Sequence, residues 1–228
     1  SVAGVFIFTQ FSSFVNMIQN KNILVVSIGT RGDVQPFIVL ALEFLKNQNQ
    51  VTIACHEELH SFVHQYGVQC SSIHQSLSDS FSRQTKPSFS QTKDIFYQCI
   101  KKWMQDVYDI ISNGNYDVVL FSSLGALIGT SVIEAILASD TKNTTRRSIW
   151  FAVVRLFPEM PTKDFPPIFT GYKDDGFAFT NNLKWSIGSF FEGLLMGGSV
   201  NKLRKELFNL QPLKISVKQQ LRLMKVLQ

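Results

Sequence analysis

Ile23-Leu24-Val25-Val26-Ser27-Ile28-Gly29-Thr30-Arg31-Gly32-Asp33-Val34-Gln35-Pro36-Phe37-Ile38 is the stretch on which the fold turns. Its first six residues form a short, continuous, largely β-branched run, the composition of a strand buried on both faces. The run ends at Gly29-Thr30-Arg31-Gly32, where two glycines permit a tight turn and close approach of a ligand to the backbone. Asp33 follows in N-cap position, with Pro36 tolerated in the first turn. Phe37, Leu40, Ala41, Phe44 and Leu45 then recur at helical spacing.

The same alternation continues outward. Residues 51–55 read as a second strand, 57–66 as a helix stopped by Gly67, and 68–73 as a third strand. A polar, Ser- and Gln-rich stretch over 74–92 reads as a mobile loop, with Phe81 and Phe89 exposed or docked on a ligand. Helices are expected over 94–112 and 124–138, and strands over 116–121 and 148–154. A Pro-rich segment at 157–169 precedes a terminal helical part over 183–210. Strands separated by helices argue for an α/β fold with a parallel sheet and right-handed crossovers. Ligands of such sheets bind outside the carboxyl ends of the strands, where residues 29–33 lie.

The 228-residue chain is 45% apolar, 17% charged and carries a formal net charge of +5. That length suits one large domain, or one and a half, at about 100–200 residues each. The apolar fraction excludes wholesale disorder, and collagen and coiled coil are excluded because neither glycine nor heptad residues dominate. Cys55, Cys70 and Cys99 cannot make a disulfide framework for so long a chain and fit reduced thiols in a cytosolic setting. No flanking pattern activates them, and they read as small core residues. The basic residues Lys202, Arg204, Lys205, Lys214, Lys218, Arg222 and Lys225 lack aromatic interleaving, so no nucleic-acid partner is expected. A solvated helix face or attraction to an anionic membrane surface accounts for them. Residues 1–18 and 185–200 are apolar but interrupted, short of the about 20 apolar residues of a spanning helix. The expected location is cytoplasmic, with peripheral membrane contact as an option.

The loop at 29–33 offers free N–H groups and the positive end of a helix dipole, which suit a phosphate or a developing oxyanion. An ordinary βα turn capped by Asp33 accounts for the same spacing. The pattern is neither G-x-G-x-x-G nor a P-loop, which argues against a nicotinamide site. His56, His60 and His64 lie four apart on the expected helix, with Cys55 adjacent, a possible zinc spacing. No fourth ligand or acidic general base is fixed by sequence, so the row reads as a partly exposed helix face and no metal is expected. Ser122 or Ser123 near Gly125 lacks the G-x-S-x-G spacing of a nucleophile elbow.

The segment from Gly29 to Ile38, following its strand, resembles the opening motif of sterol 3-β-glucosyltransferases, members of the GT-B glycosyltransferases that use UDP-sugars. Gly67-Val68, Pro161-Thr162-Lys163-Asp164-Phe165-Pro166, Trp185-Ser186 and Asn201-Lys202-Leu203-Arg204-Lys205 extend the likeness over residues 21–213. Residues 1–20 have no counterpart and stay unassigned, and 214–228 read as a basic tail or the start of an interdomain linker.

The resemblance implies a Rossmann-like parallel sheet flanked by helices, one half of a GT-B fold. It implies inverting transfer of glucose from UDP-glucose to a sterol (lipid) 3-hydroxyl, with Asp33 as the base. Thr30 and the loop amides around Gly29 and Gly32 would stabilise the phosphates or hold the base. Arg31 would orient Asp33 or meet the phosphates. A flat, apolar acceptor needs apolar walls, for which Phe89, Phe157, Met160, Phe165 and Trp185 are candidates. The UDP-sugar is a donor substrate, and no cofactor is implied. The family's donor domain carries a His-Gly-Gly-type motif, but none of His56, His60, His64 and His74 precedes a glycine pair. The chain is thus expected to be the acceptor-binding half, its partner a C-terminal donor domain outside it. A non-catalytic lipid- or partner-binding module, or the acceptor subunit of a split enzyme, is the alternative.

Overall fold

The computed structural model describes residues 15, 17–82, 86–140, 149–155, 164, 177–192 and 196–213. Strands β1 (Asn22–Val26), β2 (Gln50–His56), β3 (Gln69–Ile73), β4 (Val118–Phe121) and β5 (Trp150–Val153) form one five-stranded sheet in the order β3-β2-β1-β4-β5. Every pairing is parallel. The backbone N–H of Asn22 donates to Asp117 Oδ2 at 2.8 Å, tying the entry of β1 to that of β4.

Alternate residues of β1 face opposite sides of the sheet, and both sides are covered, so the strand is apolar and buried from Ile23 to Val26. Ile23 and Val25 join Val51, Ile53, Val118 and Leu120 beneath helix α1 (Arg31–Lys46) and the short helix α2 (His60–His64). Leu24 and Val26 join Ala54, Val119 and Phe121 beneath α4 (Phe89–Asn113), α5 (Ser123–Asp140) and α7 (Gly198–Phe208). Helix α1 is held down by Val34, Phe37, Ile38, Ala41 and Phe44. Burying each of these larger side chains stabilises the fold by about 1.5–3 kcal/mol. Helices α3 (Leu77–Ser82) and α6 (Ala178–Glu192) complete the described elements.

The expected parallel α/β sheet is therefore present, but several local expectations need correction. Helix α1 begins at Arg31 with Thr30 as N-cap, so Asp33 is its third residue and not the cap. Pro36 consequently falls in the second turn, where it withholds an N–H from the Gly32 carbonyl. Residues 57–66 are a 3-10 turn (Glu57–Leu59) followed by α2, and His56 belongs to β2. The stretch 74–92 holds α3 and the start of α4 instead of one loop. A reciprocal cap explains the early start of α4. Ser88 Oγ accepts from the Gln91 N–H at 3.3 Å, and Gln91 Oε1 accepts from the Ser88 N–H at 2.8 Å. The terminal helical part is two helices, α6 and α7. The expected domain limits of 1–20 and 214–228 lie largely outside the described residues.

Candidate functional site

The strand order places β1 and β4 side by side, and the chain leaves them toward opposite faces, into α1 and α5. That divergence makes their carboxyl ends the topological switch point of the sheet, the place where open α/β sheets bind ligands. The two exits are joined. The N–H of Ser122 donates to Val26 O at 2.9 Å, and Ser122 Oγ accepts from the N–H of Gly125 at 3.2 Å. The N–H of Ile28 also points to Ser122 Oγ, at 3.4 Å. A side chain at Gly125 would stand 2.9 Å from Val26 O, so only glycine lets α5 start this close to β1. Ser122 is buried and its hydroxyl caps α5, a structural use that agrees with the failed elbow spacing.

Asp33 lies on the β1 side of this switch point. Its Oδ2 accepts from the Thr30 N–H at 2.7 Å and from the Thr30 hydroxyl at 3.0 Å. The carboxylate is half-buried, while Thr30, Arg31 and Gly32 are exposed. Among the described residues no donor is bonded to Oδ1. One oxygen is thus fixed and the other is available to accept a proton. Ser27 Oγ donates to Asp33 O at 3.2 Å, holding the turn from beneath. Gly29 has φ +138°, and a Cβ there would lie 2.3 Å from Asp33 Oδ2. Glycine at this position is what lets the carboxylate fold back onto Thr30.

Arg31 is the first residue of α1. Its guanidinium stacks over the Phe62 ring of α2, 4.1 Å from the centroid. Phe89 opens α4 and is 58% exposed. At 25 residues α4 is about 37 Å long. The strands it crosses are far shorter, so its first turns overhang the carboxyl edge. Trp185 lies on α6 and is 8% exposed. Phe157, Met160 and Phe165 lie outside the described residues.

A second polar group, unmarked by any local motif, sits at the carboxyl ends of β2 and β3. The backbone N–H of His74 and its Nδ1 meet Asp106 Oδ2 at 2.8 and 2.9 Å, and its Nε2 lies 3.3 Å from Glu57 Oε1. Lys102 Nζ is 2.8 Å from Asp106 Oδ1. Beneath them His56 is buried, with Nδ1 bonded to Ile73 O at 2.9 Å. These residues come from β2, the 3-10 turn, the end of β3 and the middle of α4, so no spacing in the sequence announces them.

A parallel sheet of this order, covered by helices on both faces and with a glycine-bearing loop at the switch point, defines a Rossmann-like fold. The chain aligns with CalG4, the calicheamicin glycosyltransferase, at a TM-score of 0.57 and 12% identity, over 89% of this chain and 45% of that one. It belongs to the glycosyltransferase family 28 N-terminal domain family, whose pattern matches residues 23–139, from β1 to the end of α5. It is 28% identical over 117 residues to a sterol 3-beta-glucosyltransferase of Saccharomyces cerevisiae (strain YJM789), covering 49% of this chain and 10% of that protein. It is 30% identical over 124 residues to the sterol 3-beta-glucosyltransferase of Komagataella phaffii (strain GS115 / ATCC 20864), covering 49% and 9%. The chain thus spans about a tenth of the length of these relatives.

Proposed function

We propose that this chain is the acceptor-binding half of a sterol glucosyltransferase, spanning residues 21–213, and that Asp33 is the base of an inverting transfer from UDP-glucose. The observation that carries the reading is the Asp33 carboxylate at the switch point, with one oxygen pinned by Thr30 and the other bonded to no donor among the described residues. A sterol alcohol is a weak nucleophile at neutral pH. A carboxylate that takes its proton as the oxygen attacks the anomeric carbon lowers that barrier. The oxygen gains the sugar, UDP leaves with the bonding electrons, and the proton ends on Asp33. The helix start behind the loop favours negative charge and suits the departing diphosphate. Arg31, committed to Phe62, acts in this reading as a strut for the loop.

Membrane contact forms part of the same reading, because the acceptor resides in lipid. Phe179, Leu183 and Ile187 lie four apart on α6 and are exposed, with Phe177 exposed just before them. Among the described residues no helix is long and apolar enough to cross a membrane. Pelleting with anionic liposomes that weakens with salt supports peripheral contact, and no pelleting at low salt removes it.

The test of function is transfer of radiolabelled glucose from UDP-glucose to ergosterol or cholesterol by a complete enzyme carrying this chain and a donor domain. Label in the sterol fraction is expected. Label absent with every sterol, while a non-lipid alcohol accepts it, overturns the acceptor assignment.

A further inference from the structure

Three side chains distant in sequence meet on the β2–β3 flank of the sheet. Cys55 lies near the end of β2, Cys70 is in β3, and His60 opens α2. Their two sulfurs and one imidazole nitrogen all lie within 4.8 Å of one another. Strand register explains the meeting. Ile53 pairs with Cys70, so Cys55, two residues further along β2, is the diagonal neighbour of Cys70. Both side chains pack on the face covered by α1 and α2.

We propose that Cys55, His60 and Cys70 form a binding site for a thiophilic divalent ion, zinc in particular. Two thiolates and a neutral imidazole are the donor set of a borderline-soft cation. The diagonal placement favours an ion over a sulfur–sulfur bond. Diagonal neighbours stand about 7–8 Å apart, beyond the about 4.4–6.8 Å Cα separation of a disulfide. Binding forms two metal–sulfur bonds and one metal–nitrogen bond, and it releases the two thiol protons to solvent with no change of oxidation state. Cys70 and His60 are half-buried, so water can reach the fourth position. His64, one turn along α2, stands on the same flank, its ring centroid 6.1 Å from that of His60. The His64 Nδ1 pairs with Val68 O at 3.2 Å, which leaves Nε2 to carry the lone pair.

The ion would fasten α2 to β2 and to the edge strand β3. Phe62, two residues after His60, is the ring on which Arg31 of the switch-point loop rests. The metal therefore holds the support of the loop and stands outside the chemistry. The site depends on its own geometry, and its test reads the metal without any transfer assay.

The experiment is cobalt(II) titration of the reduced, metal-stripped chain. The expected result is one equivalent bound, with a thiolate-to-cobalt charge-transfer band in the near ultraviolet and tetrahedral d–d bands in the visible, both displaced by zinc. Cys70→Ser and His60→Ala, which avoid the fully buried Cys55, are each expected to weaken zinc binding by at least the about 10–100-fold that losing a mere supporting partner costs. Cys99→Ser, whose thiol sits against Ser80 on another face, is expected to bind as the parent does. A chain that is folded by circular dichroism yet shows no charge-transfer band overturns the proposal. So does a band that persists unchanged in both Cys70→Ser and His60→Ala, or a Cys55–Cys70 disulfide formed in air.

Discussion

The loop at Gly29–Asp33 and the cluster of Cys55, His60 and Cys70 leave neighbouring strands, yet they are held together by different means. The loop is local. Asp33 bonds to a residue three positions earlier, and its pose depends on the backbone angle of Gly29. The cluster is assembled. Its thiols come from two strands and are aligned only by the register of β2 on β3. A local site breaks when its backbone cannot adopt the required turn. An assembled site breaks when any one of the elements behind it shifts. Arg31 on Phe62 is where the two regions touch.

This contrast can be broken at four points. Asp33→Asn in a complete enzyme is expected to lower kcat by about 10²–10⁴-fold, the usual worth of a general base, with little change in KM for the donor. Steady-state kinetics checks it, and the cobalt spectrum of the cluster is expected to stay as in the parent. Gly29→Ala is the next largest. Its Cβ would collide with Asp33 at a backbone angle that L side chains avoid. A loss of about 1–3 kcal/mol is expected in urea unfolding, together with a fall in transfer as Asp33 is displaced. Arg31→Gln keeps much of the side-chain stem but removes the cation over Phe62, at about 0.5–1 kcal/mol, read from the shift in urea midpoint.

The smallest expected change is chemical silence. Burial, with the nearby Cys70 thiol adding to it, pushes the Cys55 thiol up to about 12. At pH 8 the metal-free chain then holds Cys55 as thiolate at about one part in 10⁴, so iodoacetamide should leave it unmodified. The thiolate fraction grows as pH rises, and modification of Cys55 is expected to grow with it. Peptide mass spectrometry of the folded chain decides, with the unfolded chain as the reactive reference.

The same contrast explains what could be read from the sequence. β1 and the helix after it were legible because their signals are contiguous: a β-branched run, two glycines, then apolar residues at helical spacing. The placement of Asp33 missed by one structural role. A short polar residue before a helix suggests a cap, but Thr30 takes that role and Asp33 reaches back to it. The early start of α4 was written in Ser88 and Gln91, an S-x-x-Q capping signal within a stretch whose polarity suggested a loop. The row His56, His60 and His64 does not lie on one helix, because His56 belongs to a strand and is buried. Its Nδ1 bonds to Ile73 O, and the thiol that lies near Cys55 is that of Cys70, fifteen positions beyond it in the sequence. Only the sheet register brings it near. His74 and Asp106 escaped for the same reason, since they meet across the packing of β3 and α4.

The central claim is that an acceptor alcohol meets Asp33 at the switch point between β1 and β4. A sterol with a photoreactive group beside its 3-hydroxyl, crosslinked to the folded chain and mapped by peptide mass spectrometry, tests that contact without requiring turnover. The expected label falls on residues 29–33 and on the facing turn at 122–125, and excess ergosterol suppresses it. Label confined to the amino-terminal edge of the sheet, or to α6 alone, with residues 29–33 unmodified, contradicts the account.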